Sequence, residues 1–223
     1  MRYSDFTPYD LILLLNGLGV SLGLFLATTI IGVFLAVMFT LVSYYRIPVL
    51  TQVVVALTEM LKNSPVLVQL FLVFFGAPAF FHVNMTPVAA ATLTISLNTA
   101  AFAYVIMRSA IASVDVEQIA AAEVFGHSRW QILTLIISPQ AAAFAIGPLV
   151  GLMINQLQVT SLISVIGVMD LTKIGNILNL RTLQPFIVWT AIGALYYVTA
   201  KILASVGGRV EKNLRRSVVW GGI

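Results

Sequence analysis

Cysteine is absent from the chain, and charge is scarce. Without a thiol there is no disulfide, no thiolate nucleophile and no thiolate metal ligand. Asp, Glu, Lys and Arg make up only 9% of the residues, against 60% hydrophobic ones, and the mean hydropathy is +1.01. A water-facing surface needs a charged fraction of about a quarter or more, so lipid is the solvent for most of this one. The phosphate-cradling G-x-x-x-x-G-K-[ST] loop is also missing, so the chain supplies no ATP hydrolysis of its own. The net charge of +4 is modest, and its basic residues are scattered until the C-terminal Arg209–Arg216. That pattern excludes a nucleic-acid patch and reads as the positive bias of a membrane protein's cytoplasmic side. No internal repeat is visible. Met1–Tyr9, with Arg2 and Asp5, lacks the basic cluster of a signal peptide and reads as a short tail before the first span.

What is present is length of apolar sequence. About 20 apolar residues cross a bilayer. Leu11–Val42 reads as a first span, longer than needed and so tilted or protruding. Val49–Phe81 reads as a second, interrupted by Glu59, Lys62, Asn63 and Pro65. Val88–Ile111, Ile132–Ile154 and Pro185–Val206 read as the third, fourth and fifth. The fold class expected is therefore all-α, a single membrane domain over residues 1–223 with about five transmembrane helices. Arg46, Arg108, Arg129 and the basic tail fall in alternate loops. They place the N-terminus outside and the C-terminus in the cytoplasm, with Lys173 and Arg181 of loop 4–5 against the rule. Gly19-x-x-x-Gly23 and Gly147-x-x-x-Gly151 are expected to be helix-packing positions.

Residues 112–131 form the one extended water-facing loop. Within it Ala120, Ala121 and Ala122 run together, Gly126 suits the left-handed residue that ends a helix, and Ser128 with Gln131 fits a capping box. A short helix, a turn and a membrane helix follow from this. Small side chains let another protein approach the backbone closely, and a plain hairpin between two spans fits the same spacing.

Three polar clusters lie at membrane depth, where ionisable groups pair or line a cavity. In the second span, Glu59 and Lys62 are within ion-pair reach on a helix, Pro65 weakens the helix, and Ser64 and Gln69 flank it. A membrane-edge pair beside a kink and a gate or pocket wall both fit. Asn98 and Thr99 of the third span suit interhelical bonds. Gln158, Thr160 and Ser161 follow the fourth; they suit a zwitterionic ligand and equally the free backbone of a broken helix.

These stretches resemble the permeases of ATP-binding cassette (ABC) importers, in the polar amino-acid uptake branch. Gln118, Ala121, Ala122, Gly126, Ile136, Pro139, Gln140 and Ala141 match the family's EAA loop, with Ala120 where the naming Glu stands and Glu123 nearby but out of register. Glu59, Lys62, Asn63, Ser64, Pro65, Gln69, Leu70 and Phe71 follow its E-x-x-R-G-T-P-x-x-x-Q-L-F pattern, and Thr160, Ser161, Leu162, Ser164, Ile166 and Gly167 its T-S-L-x-S-x-I-G. The resemblance covers nearly the whole chain. It implies a type I importer permease in the bacterial cytoplasmic (inner) membrane, with no catalytic residue, metal or cofactor of its own. ATP would be bound by partner ATP-binding cassette subunits, reached through a cytoplasmic coupling helix carrying Gln118, Ala120, Ala121, Ala122, Glu123, Gly126 and Arg129. The other implied partners are a second permease, like or unlike, a periplasmic or extracellular solute-binding protein, and an amino-acid substrate. The substrate path would run along Glu59, Lys62, Ser64, Gln69, Asn98, Thr99, Gln158, Thr160 and Ser161. Val105, Gln158 and Val159 are neutral where the family carries charge, which implies the less substrate-binding half of an unlike pair. From another class, an ion-coupled carrier or channel without an ATPase also fits an oily helical bundle.

Overall fold

A computed structural model describes residues 5–220; Arg2 and the ends lie outside them. Among the described residues all regular structure is helical: α1 Pro8–Tyr44, α2 Leu50–Lys62, α3 Val66–Phe81, α4 Pro87–Ala112, α5 Val116–Val124, α6 Arg129–Gln131, α7 Ser138–Val159, α8 Leu171–Thr182 and α9 Pro185–Trp220. A π-helical segment, Ile132–Ile137, joins α6 to α7, and a 3-10 segment, Thr160–Ile166, follows α7. Four helical stretches are long and apolar enough to cross a bilayer, with α2 and α3 a fifth if counted as one span. Lipid offers the backbone no hydrogen-bonding partner, so a spanning segment must be a helix or part of a closed barrel, and here the spans are helices.

Apolar side chains drive no association where the solvent is itself apolar, so small residues set the packing. Along α1 the buried positions Leu14, Gly17, Ser21, Leu24, Thr28, Gly32, Ala36 and Thr40 recur every three or four residues. Leu14, Gly17 and Ser21 pack on the start of α8, and the stripe from Leu24 onward packs along α4. A Cβ on Gly32 would lie 2.6 Å from Thr99 Cβ, and one on Gly17 3.0 Å from the Asp170 carbonyl oxygen. Thr28 and Thr40 donate to the carbonyls of Leu24 and Ala36 on their own helix, at 2.8 and 2.7 Å, so their burial leaves no orphan hydroxyl.

The two glycine pairs expected to pack do not do so within this chain. Gly19, Gly23 and Gly151 have open space where a Cβ would be, and only Gly147 meets a neighbour, Glu211 of α9. Close approach is made instead by Gly17, Gly32, Gly175 and Gly207. Spacing identifies helical glycines but not the face on which each is buried.

Residues 171–182, expected as loop, form a helix. Asp170 caps α8, accepting from the N–H groups of Thr172 and Lys173 at 3.3 and 2.9 Å. Leu171 and Leu178 join Leu14 of α1 and Val188 and Ile192 of α9 in a buried cluster at one end of the bundle. There Arg181 Nη2 meets Asp10 Oδ2 at 2.5 Å, with the Asp10 side chain fully buried. Arg181, one of two cations that break the charge rule, is thus neutralised. At the opposite end, Ala110, Val114, Ala122, Ile132 and Leu133 form a second cluster, flanked by Tyr44 and Tyr45.

Candidate functional site

The interruption in the second apolar run is a turn between two helices and far sharper than a kink. The axes of α2 and α3 meet at 108°. Pro65, in extended conformation, starts α3 and has no N–H to continue α2. Asn63 ends α2 by donating from Nδ2 to the Glu59 carbonyl at 2.8 Å and to Glu59 Oε2 at 3.0 Å. Glu59 also pairs with Lys62 at 2.7 Å, in a partly exposed position.

Gln69 holds the turn from the inside. Its buried Nε2 donates to the carbonyl of Leu61 at 2.6 Å, to that of Ser64 at 3.0 Å and to Ser64 Oγ at 2.9 Å. Its Oε1 accepts from Asn98 Nδ2 at 3.5 Å, and Asn98 Oδ1 accepts from Gln156 Nε2 at 3.2 Å. One buried chain of amides therefore crosses from the α2–α3 turn through the middle of α4 to α7. Gln156 Oε1 is buried without a partner. Gln156 was not singled out from sequence; the structure buries it in phase with Thr160 and with Ala141 and Ala145 earlier on α7.

The remaining polar residues separate. Thr99 bonds the Ile95 carbonyl at 2.8 Å and faces Gly32. Thr160 bonds the Leu157 carbonyl at 2.7 Å. Gln158 and Ser161 lie on another face of α7 and the 3-10 segment, where they line an open groove of about 330 Å³ with Gly193, Tyr196, Tyr197 and Ala200 of α9. Val105 lines a separate recess beside Phe144 and Pro148.

The 112–131 loop forms as its sequence dictates. Asp115 caps α5, accepting from the Glu117 N–H at 2.8 Å. Gly126 takes a φ of +80° after it. Ser128 and Gln131 make the reciprocal capping box, at 2.8 and 3.3 Å. Gln118 accepts from Gln140 Nε2 at 2.8 Å, and the Arg129 carbonyl accepts from the Tyr44 hydroxyl at 3.4 Å. Of the three alanines, Ala122 packs inward on Ile132 and Leu133, while Ala120, Ala121 and Glu123 face out. Beside them stand Val124, 87% exposed, and Phe125, 83% exposed, with Val116 and Trp130 also uncovered. Large apolar side chains are exposed over much of the bundle; what sets these apart is their place on the polar loop, beside the exposed Glu117, Glu123 and His127.

The model of a family described as the binding-protein-dependent transport system inner membrane component matches residues 19–216. The chain is 32% identical over 194 residues to the L-cystine transport system permease protein TcyL of Bacillus subtilis (strain 168), covering 84% of this chain and 80% of that one. To the glutamine transport system permease protein GlnP of Escherichia coli (strain K12) it is 29% identical over 158 residues, covering 70% and 72%. A crystal structure of an amino acid ABC transporter with histidines superposes with a TM-score of 0.84 at 27% identity, covering 90% of this chain and 94% of that one.

Proposed function

This chain belongs to the family of binding-protein-dependent transport system inner membrane components, and from that premise we propose that it forms half of the translocation path of an ATP-driven amino-acid importer. The observation that carries the reading is the capped, left-handed-turned loop at one end of the bundle, with Val116, Val124, Phe125 and Trp130 uncovered. Such a surface suits burial against another protein, and here that protein is an ATP-binding cassette subunit. The names of the cystine, glutamine and amino-acid relatives support the substrate class.

The charges support an orientation. Arg46, Arg108, Arg129 and the arginines and lysine of the α9 tail gather at the loop's end of the bundle. That end faces the cytoplasm, and the N-terminus lies outside. At the outer end the Asp10–Arg181 pair carries no net charge. A solute-binding protein delivers substrate there, and a second permease completes the path.

Movement then has a physical route. Closure of the ATPase subunits displaces α5, and Ala122 presses on Ile132 and Leu133, which pack on Ala110 and Val114. Thus α4 and α7 move with the loop. The amide chain links both to the α2–α3 turn, whose sharp bend is the element best placed to open or close a path. The test is uptake of labelled glutamine and cystine into vesicles holding this chain, its partner permease and ATPase subunits. Uptake requires enclosed ATP and added binding protein. Uptake without ATP that collapses when the ion gradient is discharged makes the protein an ion-coupled carrier instead.

A further inference from the structure

Lys201 lies within the membrane helix α9, and among the described residues it has no counter-ion. It lies about 24 Å along α9 from Pro185, well short of the basic tail that begins at Arg209. The register with α7 gives the same depth. Gly147 meets Glu211, Gly207 meets Val150, and Gln158 shares a groove with Ala200. Between these antiparallel pairs, Lys201 falls level with Gln156, which bonds Asn98 near the middle of α4. Among the described residues no carboxylate pairs with it; the ion pairs are Glu59–Lys62, Asp10–Arg181 and Glu211–Arg215.

A lysine near a membrane edge escapes by stretching to that edge. Lys201 does the reverse. Its Nζ sits 5.7 Å from the centre of the Tyr197 ring, one turn back toward the start of α9, as the backward tilt of helical side chains favours. The ring satisfies an ammonium only in part. Lys201 is exposed, and Tyr197 lines the groove with Gln158, Ser161, Gly193, Tyr196 and Ala200. An exposed ammonium at this depth implies water or an anion beside it, since lipid supplies neither.

We propose that Lys201 holds the carboxylate of the transported amino acid in this groove, and that it biases the importer against cationic amino acids. The inference rests on the importer reading above. The groove itself is lined by one amide, Gln158, with Ser161, Tyr196 and Tyr197, and the Lys201 ammonium stands beside it, over the Tyr197 ring; the Tyr196 hydroxyl also reaches Thr172 at 3.5 Å. The groove offers no side-chain anion to hold a second cation. A neutral or acidic amino acid brings the carboxylate Lys201 lacks. A basic one adds a second positive charge beside Lys201 that no side chain of this chain lining the groove offsets. The substrate's own ammonium is left to groups of the partner permease.

The test uses the assembled importer in vesicles, with glutamine, glutamate and arginine as probes. Lys201→Met raises the KM for glutamine by about tenfold or more, the scale of one charge-assisted hydrogen bond, while Lys201→Arg stays within a few-fold. The absence of native cysteine permits a readout independent of transport. Ala200→Cys reacts with a water-soluble anionic thiosulfonate; glutamine slows the reaction, arginine does not, and adding Lys201→Met removes the protection. The proposal is overturned by an unchanged KM in Lys201→Met, by arginine as the preferred substrate, or by labelling of Ala200→Cys only with a membrane-partitioning maleimide. It is equally overturned if Lys201→Met stops the two permeases from copurifying, because the carboxylate then belongs to the partner chain. Wild-type uptake that needs no ATP removes the importer reading, while glutamine protection of Ala200→Cys still decides the fate of the groove.

Discussion

The side-chain amide of Gln69 donates to the main-chain carbonyl of Leu61, at 2.6 Å, across a turn of 108° between two membrane helices. Eight residues separate the two groups in sequence. A broken helix exposes carbonyls that water cannot reach at this depth, and each must find a donor in the protein. One glutamine serves two of them, Leu61 and Ser64, and is itself tied to Asn98.

Gln69→Leu is therefore expected to destabilise the chain by about 2 kcal/mol, the cost of leaving buried acceptors without a donor. The residue is close in size, so lost packing contributes little. The thermal midpoint of the detergent-solubilised protein reads this directly. A midpoint equal to wild type removes Gln69 as the support of the turn.

The Asp10–Arg181 pair allows a sharper experiment. Asp10 is buried and Arg181 is partly exposed. Arg181→Leu strands a buried carboxylate and is expected to cost about 3 kcal/mol. The double variant Asp10→Leu, Arg181→Leu strands no charge, though it also removes the bonds Asp10 accepts from the Thr7 N–H and hydroxyl at 2.8 and 3.0 Å, and it is expected to recover part of that loss. A double-mutant cycle on thermal midpoints measures the difference. Additive losses mean that the ion pair does not hold α8 to α1.

Much of this was legible in the sequence. The spans follow from apolar length, and the turn of the 112–131 loop follows from Gly126 and the Ser128–Gln131 box, because caps and turns are local chemistry; the Asp115 cap was not read from the sequence. Helix α8 was missed for a definable reason. Lys173, Asn176, Asn179 and Arg181 lower its hydropathy, and a membrane reading weighs hydropathy first. Asp170 as a cap, with Leu171 and Leu178 seven apart on one face, was the available signal. The size of the bend at Pro65 was not available, because it depends on Gln69 reaching back over the turn and on Asn98 from another helix. Nor was the contact of Arg181 with Asp10, which no local pattern encodes.

Glycine positions separate packing from composition. A Cβ on Gly32 would meet Thr99 Cβ at 2.6 Å and the Ser96 carbonyl oxygen at 2.9 Å. Neither atom can withdraw without moving α4. Gly32→Val is expected to cost about 1–3 kcal/mol by overpacking. Gly19→Ala, facing open space, is expected to stay within about 0.5 kcal/mol. Thermal midpoints in detergent compare the two; equal losses contradict the α1–α4 interface described above.

Gly126 tests the loop as a docking element. Its φ of +80° suits glycine, and a Cβ there would meet nothing of this chain within 4 Å. Two effects of substitution can thus be told apart. Asparagine tolerates the left-handed conformation, so Gly126→Asn is expected to keep substrate-stimulated ATP hydrolysis in the assembled importer. Glutamate adds strain, length and charge at a point open to a partner, so Gly126→Glu is expected to leave the chain inserted and to lose the stimulation. Since no neighbour within this chain is disturbed, loss with Glu but not with Asn reports a surface pressed against another protein. ATPase assays on the three reconstituted complexes decide it: normal stimulation with Gly126→Glu means that the loop is not where the ATPase subunit sits.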